Sequence, residues 1–206
     1  MRRSMPFLAF LLAALAIPGV ARNVSAQAGG AGQEEIPRFD VFGSYGYMHS
    51  NIVVDGTTIS LNGGTASFTY NWKRWVGLAG DFGVYHQSNI TANAATLTIT
   101  TFQAGPRFRW RKWQRVTPFA EGLVGLGHAG GTLYTVSQTV GYPAFGTSTA
   151  LVMTAGGGVD WQVSYRFAIR MIQADYLYSQ FNNNGHGNRQ NNLRLTAGVV
   201  FNFGAR

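Results

Sequence analysis

Apolar and polar positions alternate along most of this chain with a period of two. The clearest case is the last stretch. Leu193, Leu195, Ala197, Val199, Phe201 and Phe203 are apolar, whereas Asn192, Arg194, Thr196, Gly198 and Asn202 are polar or small, with Val200 the one exception. Successive side chains of a strand point to opposite faces, so this pattern predicts a strand with one greasy and one wet face. Upstream, Ala66, Phe68, Tyr70 and Trp72 oppose Thr65, Ser67, Thr69 and Asn71, and Val76, Leu78, Phe82 and Val84 oppose Gly77, Ala79, Asp81 and Gly83. Pro118, Ala120, Val124 and Leu126 oppose Phe119, Glu121 and Gly125 in the same way. Leu151, Met153, Val159 and Trp161 oppose Thr154, Gly156, Gly158 and Asp160, and Ile172, Ala174, Tyr176 and Tyr178 oppose Gln173 and Asp175.

Eight such segments are expected near 38–49, 60–72, 76–88, 94–109, 116–129, 148–163, 167–181 and 191–203. Long connections at 50–59, 89–93, 130–147 and 182–190 alternate with short ones at 73–75, 110–115 and 164–166. No run of 18 apolar residues offers a transmembrane helix. An even set of amphipathic strands with alternating loops instead predicts an all-β fold, an eight-stranded antiparallel up-and-down transmembrane β-barrel. Short turns and both termini then lie on the periplasmic side. Three residues break the parity. Phe42 and Leu123 fall on the inner face, which a small barrel filled with its own side chains tolerates. Arg170 falls on the outer face and calls for a bulge or for snorkelling to the interface.

The N-terminus follows a different logic. Arg2 and Arg3 precede an apolar run from Phe7 to Ile17, Pro18-Gly19 breaks it, and small residues follow at Ser25 to Ala28. Residues 1–28 are therefore expected to be a secretory signal peptide, cleaved after Ala26 or Ala28. Residues 29–37 follow as a disordered leader, and 38–206 form the outer-membrane barrel domain. Export changes the meaning of the +8 net charge, which drops to +5 without Arg2, Arg3 and Arg22. A basic chain suggests nucleic acid, but an exported one does not. With no cysteine, disulfides are excluded, and stability must come from burial and backbone pairing.

The short turns gather Trp72, Trp75, Trp110, Trp113, Trp161, Tyr165 and Phe203, the composition of a membrane-interface girdle. They also gather Arg38, Lys73, Arg74, Arg109, Arg111, Lys112, Arg115 and Arg166. A solvated collar against phospholipid headgroups is preferred here over a docking surface for an acidic periplasmic partner. The long loops are rich in Gly, Asn, Thr and Ser, which is turn chemistry without a binding code.

Five residues near the C-terminus, Thr196, Gly198, Val199, Phe201 and Phe203, fill the specified places of a pattern that resembles the C-terminal assembly signal of bacterial outer-membrane barrels. Phe102–Arg107, Val116–Phe119, Ala155–Asp160 and Arg170–Tyr176 also resemble the small outer-membrane β-barrel family, and are similar to the transmembrane domain of outer-membrane protein A. The resemblance implies residence in the cell outer membrane, contact with its lipids, and recognition by the barrel assembly machinery through the last strand. No cofactor and no nucleic-acid partner are expected, and an extracellular ligand is left unnamed.

Candidate chemistry lies on the inner face, with Asp81, Arg107, Glu121, Asp160, Asp175 and Arg194. Charges in a narrow lumen must be paired and hydrogen-bonded. A salt-bridge plug is the expected reading, and an electrostatic gate over a narrow solute pore is the alternative. His86 and Ser88 resemble the His-x-Ser pair of lipid A deacylases, and both point outward toward lipid. A serine nucleophile needs a base that is itself oriented, and no carboxylate is placed to orient His86. No catalytic residue is therefore assigned. The remaining histidines lack metal-ligand spacing. The expected role is structural support of the membrane or surface interaction through the long loops.

Overall fold

The computed structural model describes residues 36–54, 57–88, 96–113, 115–131, 147–181 and 189–204. Eight strands follow in order: β1 Phe39–Val54, β2 Thr57–Asn71, β3 Val76–Gln87, β4 Leu97–Arg109, β5 Val116–Gly130, β6 Thr147–Gln162, β7 Phe167–Ser179 and β8 Gln190–Phe203. Each pairs antiparallel with the next, and β8 returns to pair with β1, so the sheet closes into a barrel without a crossover. Closure removes the two open edges, which lipid could not satisfy with hydrogen bonds.

The alternation read from sequence becomes an inside and an outside. Along β8, Leu193, Leu195, Val199 and Phe201 face out, while Asn192, Arg194, Thr196, Val200 and Asn202 are buried. Phe42 and Leu123 are buried as expected. On β3, Leu78, Phe82 and Val84 are exposed apolar residues. Val76 to Val84 covers about 26 Å of strand before tilt, of the order needed to line the apolar band of a small barrel. The expected signal peptide lies outside the described residues, as does most of the leader. The leader's last residue, Pro37, is buried, and its carbonyl accepts a hydrogen bond from Asn71 Nδ2 at 2.9 Å.

The first connection differs from expectation. Instead of a long loop at 50–59, pairing runs up to Val54↔Thr57, with a register shift between Ser50 and Val53. The β-branched residues of Ile52-Val53-Val54 and Thr57-Thr58-Ile59 favour extended pairing. Long and short connections therefore do not alternate strictly. The loops 130–147 and 182–190 lie mostly outside the described residues.

Arg170 is the second difference, and the bulge accounts for it. Val159 pairs with Ile172 but Asp160 pairs with Arg170, so Met171 is an extra residue on β7. Met171 and Ile172 consequently both face out, and Arg170 turns into the lumen, fully buried. Snorkelling is not needed.

Candidate functional site in the barrel lumen

All six sequence-expected interior charges, Asp81, Arg107, Glu121, Asp160, Asp175 and Arg194, are buried inside the barrel. Sequence reasoning missed Asp40, Arg109 and Arg170, which are buried with them. Arg109 had been expected in the solvated collar. Its place at the inward parity of β4, two residues after Arg107, was the available signal.

Register makes several of the pairs. Arg107 and Glu121 are direct cross-strand partners on β4 and β5, and Arg107 Nε donates to Glu121 Oε2 at 2.6 Å. Asp160 and Arg170 are partners on β6 and β7, joined by Nε to Oδ1 at 2.7 Å and Nη2 to Oδ2 at 3.1 Å. Asp175 and Arg194 are partners on β7 and β8, with Nε donating to Oδ2 at 2.9 Å. Nη2 of Arg194 lies 2.8 Å from the same oxygen, but the aligned hydrogen bond is the one from Nε.

Other contacts cross the lumen. Arg194 Nη1 reaches Asp81 Oδ1 at 2.9 Å. Arg109 Nη1 donates to Asp40 Oδ2, which also accepts from Asn71 Nδ2 at 3.0 Å. Gln173 links the groups: its Nε2 donates to Glu121 at 2.9 Å and to Asp175 at 2.8 Å, and its Oε1 accepts from Arg170 at 2.7 Å. Arg170 also lies between two rings, 4.0 Å from the centroid of Phe42 and 4.1 Å from that of Phe119. Such charge-assisted and cation–π contacts gain strength where water is excluded.

The charges occupy only part of the interior. Met48, Ile59, Leu61, Tyr85, Leu97, Ile99, Ala129, Ala150, Val152, Leu177 and Phe181 form one buried apolar cluster inside the end away from the short turns. Parity places Phe42, Phe119 and Leu123 on the inner face, and this cluster adds to them. Inward positions near the long loops are Leu, Ile and Met because an eight-stranded barrel is narrow enough for them to meet and pack.

The remaining expected residues stand as follows. Trp72, Trp75, Trp110, Trp113, Trp161, Tyr165 and Phe203 are all exposed at or near the short-turn end. Trp75 stacks on Phe108 at 6.0 Å, and Phe203 on Phe39 at 5.4 Å. Thr196 is buried on the inner face, whereas Val199, Phe201 and Phe203 are exposed, with Gly198 paired to both Ser44 and Arg170. His86 and Ser88 are exposed, but His86 Nδ1 is engaged by Thr98 Oγ1 at 2.8 Å. No described carboxylate orients this ring: all five described carboxylates, Asp40, Asp81, Glu121, Asp160 and Asp175, lie inside. Among the described residues no group of three His, Cys, Asp or Glu side chains is placed to hold a metal ion.

The family model described as "Outer membrane protein beta-barrel domain" matches residues 9–203. The chain belongs to this family. It is an integral β-barrel of the cell outer membrane. Among solved structures, Neisserial surface protein A is similar, with TM-score 0.59 at 18% identity, covering 80% of this chain and 97% of that one. The attachment invasion locus protein Ail of Yersinia pestis, in complex with the heparin analogue sucrose octasulfate, gives 0.52 at 19% identity, covering 81% and 99%. At these identities the likeness is one of fold. No curated protein matches the chain.

Proposed function

We propose that this protein acts as a closed, non-catalytic barrel that reinforces the outer membrane and presents its loops outside the cell. The observation that carries the reading is the occupied lumen: guanidinium–carboxylate pairs at one level and packed apolar side chains at the other. A solute path would have to displace both. The interior ion pairs act as a plug rather than a gate, because each buried carboxylate has a guanidinium partner and separating them would strand charge in a dry interior. Exposed aromatics at the short-turn end hold the barrel in register with the bilayer as a girdle. The last strand, through Thr196, Gly198, Val199, Phe201 and Phe203, supplies the handle by which assembly machinery recruits the chain. Outside the membrane, the segments 89–95, 132–146 and 182–188 are offered to a partner. Surface attachment in the similar Ail protein is compatible with such use of the scaffold.

A deletion strain separates the two halves of this reading. Complementation with a chain whose segments 89–95, 132–146 and 182–188 are replaced by short turns restores detergent resistance if reinforcement is the role. Failure of the loop-shortened but folded chain to restore it assigns the role to the loops. No detergent sensitivity in the deletion strain contradicts reinforcement.

A further inference from the structure

The short-turn mouth of the barrel holds guanidinium edges that are out of solvent and have no partner among the described residues. Arg109, buried near the end of the lumen, uses Nη1 on Asp40, and its Nε and Nη2 have no partner among the described residues. Arg111, on the turn between β4 and β5, has Nε and Nη2 likewise out of solvent and without a partner among the described residues. The turn that places it is fixed by backbone: Arg109 N donates to Trp75 O and Trp110 N to Pro118 O, both at 2.9 Å. Arg74 Nη2 caps the Arg111 carbonyl at 3.3 Å. Asp40 is taken by Arg109 and Asp160 by Arg170.

The unfilled atoms have a specific chemistry. Nε and Nη2 form the side edge of a guanidinium, the edge that grips two oxygens of one oxyanion. A single carboxylate fills one such edge. A tetrahedral group offers three or more oxygens, enough for more than one such edge. Water can bridge the donors but brings them no countercharge. Burial and the neighbouring Arg109 also hold the Arg111 pKa down at about 10. Its guanidinium is still charged at neutral pH, and an anion would relieve both causes.

We infer that Arg109 and Arg111 form a phosphate-binding site at the periplasmic mouth, taking a phosphoryl group from a lipid headgroup or from free phosphate. The site stands independently of the role proposed for the loops. It places one phosphate within a rim whose described charges (Arg38, Lys73, Arg74, Lys112, Arg115 and Arg166) are all positive.

The test uses the folded protein in uncharged maltoside micelles, titrated with inorganic phosphate and, separately, with a short-chain phosphatidylglycerol, read by calorimetry and phosphorus NMR. Arg111→Gln is expected to weaken binding about tenfold or more, the loss of one bidentate charged contact. Its heat-shifted gel mobility should stay intact, because the residue lies on a turn. Acetate should bind more weakly than phosphate. Binding of both probes assigns the site to phosphate in general, and binding of the lipid alone assigns it to a headgroup. Equal affinity of wild type and Arg111→Gln would make the contact a diffuse property of the basic rim and overturn the site. So would no binding at millimolar phosphate. A second variant, E34Q/E35Q, removes the two carboxylates of the leader. Phosphate binding seen only in that variant would show that the chain's own carboxylates fill the site, and would overturn an external ligand.

Discussion

Arg194 on β8 donates to Asp81 on β3 at 2.9 Å, tying together two strands that share no backbone pairing. The same guanidinium holds Asp175 on the adjacent β7. One side chain therefore bridges the lumen and also reinforces a seam of the sheet. Both carboxylates and the arginine are buried, so the bridge works in a setting where an unmatched charge is expensive.

Replacing Arg194 by Met should destabilise the barrel by about 3–5 kcal/mol, because two carboxylates lose their shared partner. Urea unfolding in lipid vesicles measures this. Adding Asp81→Asn and Asp175→Asn to the same chain should recover much of the loss, since the stranded charges are then gone.

Arg170 tests the bulge. Lysine keeps the charge but loses the planar contact with Phe42 and Phe119 and the two-point grip on Asp160. Arg170→Lys should cost about 2 kcal/mol in the same unfolding measurement. A neutral result would mean that the stacked arrangement contributes no stability.

Small residues make room for this network. A Cβ at Gly156 would collide with the Asp175 carboxylate and lie 2.6 Å from the Ala174 carbonyl oxygen. Gly156→Val should therefore destabilise the barrel by about 1–3 kcal/mol, the usual range for overpacking, and shift its unfolding midpoint to lower urea.

The outward His86 has its Nδ1 held by Thr98, and no described acid stands behind it. His86→Ala and Ser88→Ala should leave the lipid A profile of cells unchanged, as measured by mass spectrometry. Loss of an acyl chain that depends on either residue would establish an enzyme instead.

Much of the barrel was legible because the side-chain period of a strand is fixed by backbone geometry, and two solvents write it into sequence. Leu193 to Phe203 and Val76 to Val84 needed nothing else. The misses have separate causes. The extra Met171 reverses the faces of everything before it on β7, and so moves Arg170 inside. Pairing of β1 with β2 runs on to Val54 and Thr57, where a loop was expected. Arg109 looked like part of the collar because its neighbours in sequence are, yet its partner Asp40 lies 69 residues away. The apolar upper lumen was also missed, since Leu97, Ile99 and Leu177 are ordinary strand residues until closure makes them meet.

Planar-bilayer recording of the purified, folded protein tests the closed lumen most directly. The ion-pair plug and the apolar cluster above it predict a silent membrane, without discrete conductance steps over long recordings. Stable, repeated unitary openings would contradict a filled barrel and make the interior charges a gate.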